Sequence, residues 1–68
     1  MTTKQLTNLE KKITPEMDEK HRARFNRQAA YKGNGIYFVP GTNLFSTDTR
    51  ELFIMFVCVR EGIKLPLN

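Results

Sequence analysis

The most suggestive chemistry in this sequence lies between positions 20 and 32, where basic residues recur at helical spacing. Four residues follow one another at intervals of four, three and four: Lys20, Arg24, Arg27 and Tyr31. These intervals place all four on one face of a continuous helix. Lys32 adds a further positive charge, and no acidic residue interrupts the segment. Because lysine and arginine side chains bind phosphate and carboxylate oxygens, the segment could contact a nucleic acid or an acidic protein. A solvated face that only keeps the protein soluble accounts for the same pattern.

Residue types that perform catalysis or bind metals are few here and poorly arranged for either role. His21 has no serine or cysteine nucleophile near it in a recognisable motif. A zinc site needs about four ligands, mostly cysteine and histidine, and Cys58 is the only cysteine of the chain. The segment Gly33-Asn34-Gly35 lacks the lysine and hydroxyl residue of a phosphate-binding loop. We therefore expect no enzymatic activity, no catalytic residue, no bound metal and no cofactor.

Two helices are predicted in the N-terminal half, and the second one positions the basic residues. Leucine and isoleucine at intervals of three and four predict a short helix over residues 3–13. Thr14 is a favourable N-cap and Pro15 a favourable first helical residue, with acidic residues following at the positive end of the helix dipole. This second helix is predicted to run to about position 32 and to end at the glycines that follow, which supply left-handed conformations.

The C-terminal half contains one short extended segment and one ambiguous apolar run. Residues 36–39 are aromatic and β-branched and precede a Pro-Gly turn, so they are predicted to form a strand, with a loop over residues 42–45. Periodicity cannot decide whether the apolar run 52–59 is a buried helix or a buried strand. Capping residues on both sides favour a helix over residues 49–61, whereas the β-branched and aromatic content favours a strand.

We therefore predict a mainly α-helical fold with a short N-terminal helix, a longer basic helix, a short extended segment and an apolar C-terminal helix. An α+β fold in which residues 52–59 form a strand is the alternative. With 68 residues, the chain is expected to form a single domain over positions 1–68, and residues 1–4 are the part most prone to fraying.

The apolar run places a demand on so short a chain. A helix that is apolar on all sides needs cover on all sides, and the other segments offer little material for it. The sequence therefore favours a compact monomer and a homodimer or partner-docking face about equally. In the second interpretation, three phenylalanines form the apolar interface: Phe45, Phe53 and Phe56.

Charge and cysteine content limit the partner and the location. The net charge of +4 favours anionic partners. A lone cysteine inside an apolar run is typical of a reducing compartment, and the run is too short to span a bilayer, so we expect a cytoplasmic protein that does not enter the membrane.

The leading functional hypothesis is a small regulatory or inhibitory protein that docks on a protein partner. The size and the lack of enzymatic motifs are compatible with accessory proteins of phages and plasmids. Apolar anchors would supply buried area, and Lys20, Arg24 and Arg27 would steer association. The alternative is a small basic nucleic-acid-binding protein that uses the cationic face of the helix over residues 15–32.

Overall fold

Three helices and three short strands make up the computed structural model of this protein, which describes residues 1–66. In chain order they are α1 (Thr3–Lys12), α2 (Pro15–Gln28), β1 (Ala30–Gly33), β2 (Ile36–Phe38), β3 (Phe45–Ser46) and α3 (Thr49–Arg60). The strands form one antiparallel sheet in the order β1-β2-β3. The predicted mainly helical class is confirmed, with a small sheet in addition.

Each helix begins at a polar residue whose side chain caps it. Thr2 and Gln5 form a reciprocal capping box at the start of α1, with distances of 3.1 and 2.9 Å. The Thr14 hydroxyl accepts a backbone amide of the first turn of α2 at 3.1 Å. Asp48 accepts a backbone amide of α3 at 2.9 Å. Because these caps satisfy amides that have no partner within the helix, they fix the three starting points locally, close to where the sequence predicts them.

Helix α2 ends four residues before position 32, which corrects the sequence-based boundary. Tyr31 and Lys32 lie in β1 and not on the helix. The physical reason is the turn 33–35, whose three residues have φ between 56° and 105°. These left-handed conformations close a hairpin between β1 and β2, in which Tyr31 pairs with Tyr37. The glycine cluster therefore joins two strands, and the helix stops earlier so that β1 can form.

The sheet contains the strand predicted near residues 36–39, which is β2, and a third strand that was not predicted. Phe45, predicted as the last residue of a loop, instead begins β3. Phe45 pairs with Phe38, and Ser46 pairs with Tyr37. Paired residues on neighbouring strands lie on the same face of a sheet. Phe38 and Phe45 therefore share one face, while Tyr37 and Ser46 share the other.

The apolar helix α3 forms the centre of the molecule. Residues 52–58 are all buried, and residues 52–59 are helical, so the sheet does not include them. The Phe25 ring of α2 packs against Phe53 and Phe56 of α3, with centroid distances of 5.1 and 5.5 Å. Helix α1 covers a second side of α3 through Leu9, and the sheet covers a third. The chain itself thus supplies the cover that α3 requires. No helix within residues 1–66 is long and apolar enough to cross a membrane.

Truncating a central side chain of α3 tests this arrangement. Phe56 is 2% exposed, so Phe56→Ala should leave a void in the core and lower the free energy of unfolding by about 3–5 kcal/mol. A domain of this length has roughly 3–10 kcal/mol of stability in total, so the variant should be close to unfolding at room temperature.

The matched control is Val59→Ala on the same helix, where the side chain is 52% exposed. This change should alter stability by about 0.5 kcal/mol or less. Urea denaturation followed by circular dichroism measures both variants. Equal losses for Phe56→Ala and Val59→Ala would contradict the central position of α3.

Candidate binding surfaces

Two arginines are held by carboxylates at the edge of the core. The Arg22 Nη2 atom lies 2.7 Å from Asp18 Oδ2, and its guanidinium carbon lies 3.9 Å from the centroid of the Phe53 ring. Arg50 Nη2 lies 2.6 Å from both carboxylate oxygens of Glu10, which joins α3 to α1. These side chains are bound within the fold and are not available for a partner without breaking an ion pair.

The other three arginines form no ion pair within residues 1–66. Arg60 does contact an aromatic ring, since its guanidinium carbon lies 5.1 Å from the centroid of the Phe56 ring. Within residues 1–66, Arg24 and Arg27 form no ion pair and no aromatic contact, and both are exposed. Lys20 lies on the same face of α2 and is 69% exposed, although its Nζ atom lies 3.4 Å from Glu61 Oε2. We call Lys20, Arg24 and Arg27 the cationic row, which spans about 10 Å along the helix.

The structure separates Tyr31 and Lys32 from the cationic row. The Tyr31 hydroxyl accepts a hydrogen bond of 2.8 Å from the backbone amide of Gly35. The centroid of the Tyr31 ring lies 5.0 Å from that of the Tyr37 ring. Tyr31 therefore braces the hairpin, even though 59% of the residue is exposed. Lys32 is exposed and borders a hollow on the side of the sheet that faces away from α3. The predicted binding set thus divides into three helical residues and two strand residues.

An apolar surface remains on the side of the sheet that faces away from α3. Side chains alternate along β2, so Tyr37 and the fully buried Val39 point to the core, while Ile36 and Phe38 point outward. Phe45 pairs with Phe38 and is 66% exposed, the highest value among the large hydrophobic residues of the described chain. We call Ile36, Phe38 and Phe45 the outer sheet face.

The apolar interface predicted from the sequence changes accordingly. Phe53 and Phe56 are 4% and 2% exposed and belong to the core, so they cannot act as surface anchors in this fold. Of the three predicted phenylalanines, Phe45 alone is exposed. Sequence reasoning missed Ile36 and Phe38. The alternation within residues 36–39 was the available signal, but its meaning depended on knowing which side of β2 would meet α3.

His21 connects α2 to the end of α3. It is 4% exposed, and its Nε2 atom donates a hydrogen bond of 2.6 Å to Glu61 Oε2. Its ring also meets the Phe56 ring edge-on, with a centroid distance of 6.2 Å. The hydrogen bond from His21, together with the nearby charge of Lys20, lowers the pKa of the Glu61 carboxyl group. In this geometry His21 acts as a structural joint, and its Nε2 atom is already bonded.

The Cys58 thiol is buried, and the charged groups that border the groove between α2 and α3 already form ion pairs. Cys58 is fully buried, and burial raises the pKa of its thiol, which disfavours the nucleophilic thiolate. A groove of about 710 Å³ between α2 and α3 contains Phe25 and Phe53 and is bordered by the Arg22 and Arg50 ion pairs. Within residues 1–66, every buried polar side-chain atom has a hydrogen-bond partner, and no cluster of three or more metal-ligating residues is present.

The hydrogen bond between His21 and Glu61 predicts how the stability of the fold depends on pH. Because the folded state lowers the pKa of Glu61 below its ordinary value of 4.5, the joint stabilises the fold fully above that value. This contribution should be lost as the pH falls through the lower, folded pKa, since the unfolded chain then binds more protons. Glu61→Gln should be less stable than the wild type near neutral pH and should lose less further stability on acidification. Urea midpoints at about pH 7 and about pH 3 measure the difference.

Glu19→Gln is the matched control, because Glu19 is exposed and forms no ion pair within residues 1–66. It should keep the pH dependence of the wild type. If Glu61→Gln and the wild type lose stability in parallel on acidification, the joint does not contribute in the way described.

Two exposed surfaces within residues 1–66 are thus candidates for contact with a partner, and they differ in chemistry. The cationic row offers two unpaired guanidinium groups and one ammonium group on α2. The outer sheet face offers aromatic and aliphatic surface on β2 and β3. Comparison with known proteins finds no family model, no curated protein and no solved structure that matches this chain.

Proposed function

We propose that this chain is a small non-enzymatic regulatory or inhibitory protein that docks its cationic row on an acidic surface of a protein partner. The observation that supports this is the contrast among the arginines. Arg22 and Arg50 are held by carboxylates of the same chain, whereas Arg24 and Arg27 have no partner within residues 1–66. Because no carboxylate within residues 1–66 pairs with Arg24 or Arg27, a partner that supplies carboxylates would give these two side chains new charge-assisted hydrogen bonds.

The charge around the row favours a protein partner over a nucleic acid. The row contains three cations, one of which is shared with Glu61, and these are few compared with the roughly six to ten phosphate contacts that give nucleic-acid binding a steep salt dependence. Glu16 and Asp18 lie in the first turn of the same helix, and Glu19 follows directly. In a recognition helix this N-terminal turn usually approaches the bases, and there its carboxylates would meet phosphate. A protein surface with a few carboxylates matches the row without this repulsion.

A nucleic acid is the second candidate, supported by the exposure of the same unpaired arginines and by the net charge of +4. In this case Lys20, Arg24 and Arg27 would contact phosphates without reading the bases. Three such contacts give a salt exponent near −2.7, so the affinity would fall about 40-fold between 50 and 200 mM salt.

We also propose a cytoplasmic location. Cys58 is the only cysteine, and it is fully buried as a thiol against α1. A fold whose core contains an unmodified thiol and no disulfide fits a reducing compartment.

Reversing the unpaired arginines tests the proposed function. Arg24→Glu combined with Arg27→Glu changes the net charge from +4 to about zero, and both side chains are exposed, so folding should be retained. The matched control is Lys4→Glu combined with Lys11→Glu on α1, which makes the same charge change at exposed positions outside the row. The wild type, the row variant and the control serve as baits in affinity capture from lysate of the native host, followed by titration of the purified partner.

A protein partner should bind the wild type and the control with similar affinity and lose most of its affinity for the row variant. Fluorescence anisotropy with labelled duplex and single-stranded DNA, at about 50 and 200 mM salt, tests the second candidate. DNA binding that has the expected salt dependence and is lost only in the row variant would replace the protein partner with a nucleic acid. Equal loss in both charge variants would show that net charge, and not the cationic row, determines binding.

A further inference from the structure

On the outer sheet face, the Phe45 ring projects from the surface beside apolar hollows. Phe45 is 66% exposed and stands between two hollows that both border it. The outer hollow, of about 550 Å³, includes Lys32, Ile36 and Phe38. The edge hollow, of about 620 Å³, lies around β3 and includes Glu51. A projection and a recess of similar chemistry on one face form a self-complementary surface, as a contact between identical subunits requires.

We propose that two copies of this chain associate through the outer sheet face, about a two-fold axis that passes near Phe45. In this arrangement the Phe45 ring of each copy enters a hollow of the other. Two-fold symmetry repeats every contact, so the ring and the hollow are each used twice. Phe38 and Ile36, which line the outer hollow, lose their remaining exposure in the process.

The charges at the two hollows support a second copy as the occupant. Among residues 1–66, Lys32 is the only charged side chain of the outer hollow, and Glu51 is the only one of the edge hollow. Neither forms an ion pair within the described residues, although one Glu51 oxygen accepts the Ser46 hydroxyl at 3.1 Å. Lys32 lies on β1 and Glu51 on α3, and Phe45 borders both hollows. In the proposed arrangement, entry of each Phe45 ring into a hollow of the other copy brings Lys32 of one copy towards Glu51 of the other.

The size of the chain points in the same direction. A domain of about 60 residues buries only about 60% of the surface that its unfolded chain exposes, and small domains often complete their burial by oligomerisation. Association through the outer sheet face does not involve the cationic row, since none of its residues borders either hollow. The proposed dimer contact is thus spatially separate from the surface proposed to dock on an acidic partner.

The mass in solution is the first test. Light scattering coupled to size exclusion should give a mass near twice 7.9 kDa at high micromolar concentration. Phe45→Ser should raise the dimer Kd at least about 30-fold, as removal of a central interface residue commonly does. Val59→Ser is the matched control, because it removes an exposed apolar side chain on the far end of α3 and should leave the dimer Kd unchanged. Far-UV circular dichroism verifies that each variant is folded.

The charge contact is tested by a double-mutant cycle that keeps the fold intact. Lys32→Glu changes an exposed side chain, and Glu51→Gln retains an oxygen for the hydrogen bond from Ser46. Lys32→Glu should raise the dimer Kd at least about fivefold more in the wild-type background than in the Glu51→Gln background, because each dimer contains the contact twice.

Three results would contradict the proposed dimer or its geometry. A monomeric wild type at all accessible concentrations overturns the proposal, and so does a dimer that Phe45→Ser leaves intact. Equal effects of Lys32→Glu in both backgrounds exclude the two-fold arrangement about Phe45. The Arg24→Glu, Arg27→Glu variant should remain dimeric, so loss of the partner and loss of the dimer are distinguishable.

Discussion

The need to cover α3 on every side governs how the rest of this short chain is arranged. Residues 52–58 leave no polar side that could face water. Helices α1 and α2 cover part of the circumference, and the sheet covers what they cannot reach. The inner side of the sheet is therefore committed to α3 through Tyr37 and Val39. Since a sheet has two faces and residues 1–66 contain no further element to lie over the second one, exposure of Ile36, Phe38 and Phe45 follows from the way the core is built.

The same constraint determines which charges remain unpaired. The elements that wrap α3 are joined to it at the periphery by polar contacts: Arg50 with Glu10, and His21 with Glu61. Within α2, Asp18 holds Arg22 over the Phe53 ring, so that its guanidinium group covers the edge of the core. Exposed ion pairs contribute little free energy, about 0–1 kcal/mol each, so their main effect here is to fix geometry. The carboxylates that could have paired with the outer side of α2 are thereby occupied or lie at its N-terminal turn.

Short-range capping signals made the helices predictable from the sequence, whereas two of the three strands, β1 and β3, were not predicted. The caps at Thr2, Thr14 and Asp48 act within a few residues, so the sequence contains all the information that they need. The turn 33–35 is different, because the same left-handed glycines can end a helix or close a hairpin. The choice depends on whether the preceding residues find a strand to pair with. That strand, β2, becomes available only because its inner side packs on α3.

The candidate site shows the same division. Lys20, Arg24 and Arg27 lie together as predicted, since helical periodicity is sufficient to place them. Tyr31 and Lys32 do not, because a boundary shift of four residues transfers them from a helix to a strand. The three predicted phenylalanines were chosen from segments whose orientation the sequence could not give. An all-round apolar helix offers no face to distinguish, so Phe53 and Phe56 are identified as core residues only by the fold, through their burial and their packing against Phe25.

The outer sheet face affects how strongly the cationic row can bind a partner. Exposed charge pairs contribute about 0.2–1 kcal/mol each, so a single row of three cations gives only weak affinity for an acidic surface. A dimer through the outer sheet face would present two cationic rows on one rigid body. When a partner engages both rows, the second contact becomes intramolecular and can strengthen binding by about 10²–10⁴ without any new residue. Association through Phe45 would therefore determine how tightly Arg24 and Arg27 hold a partner, although the aromatic and charged groups share no contact.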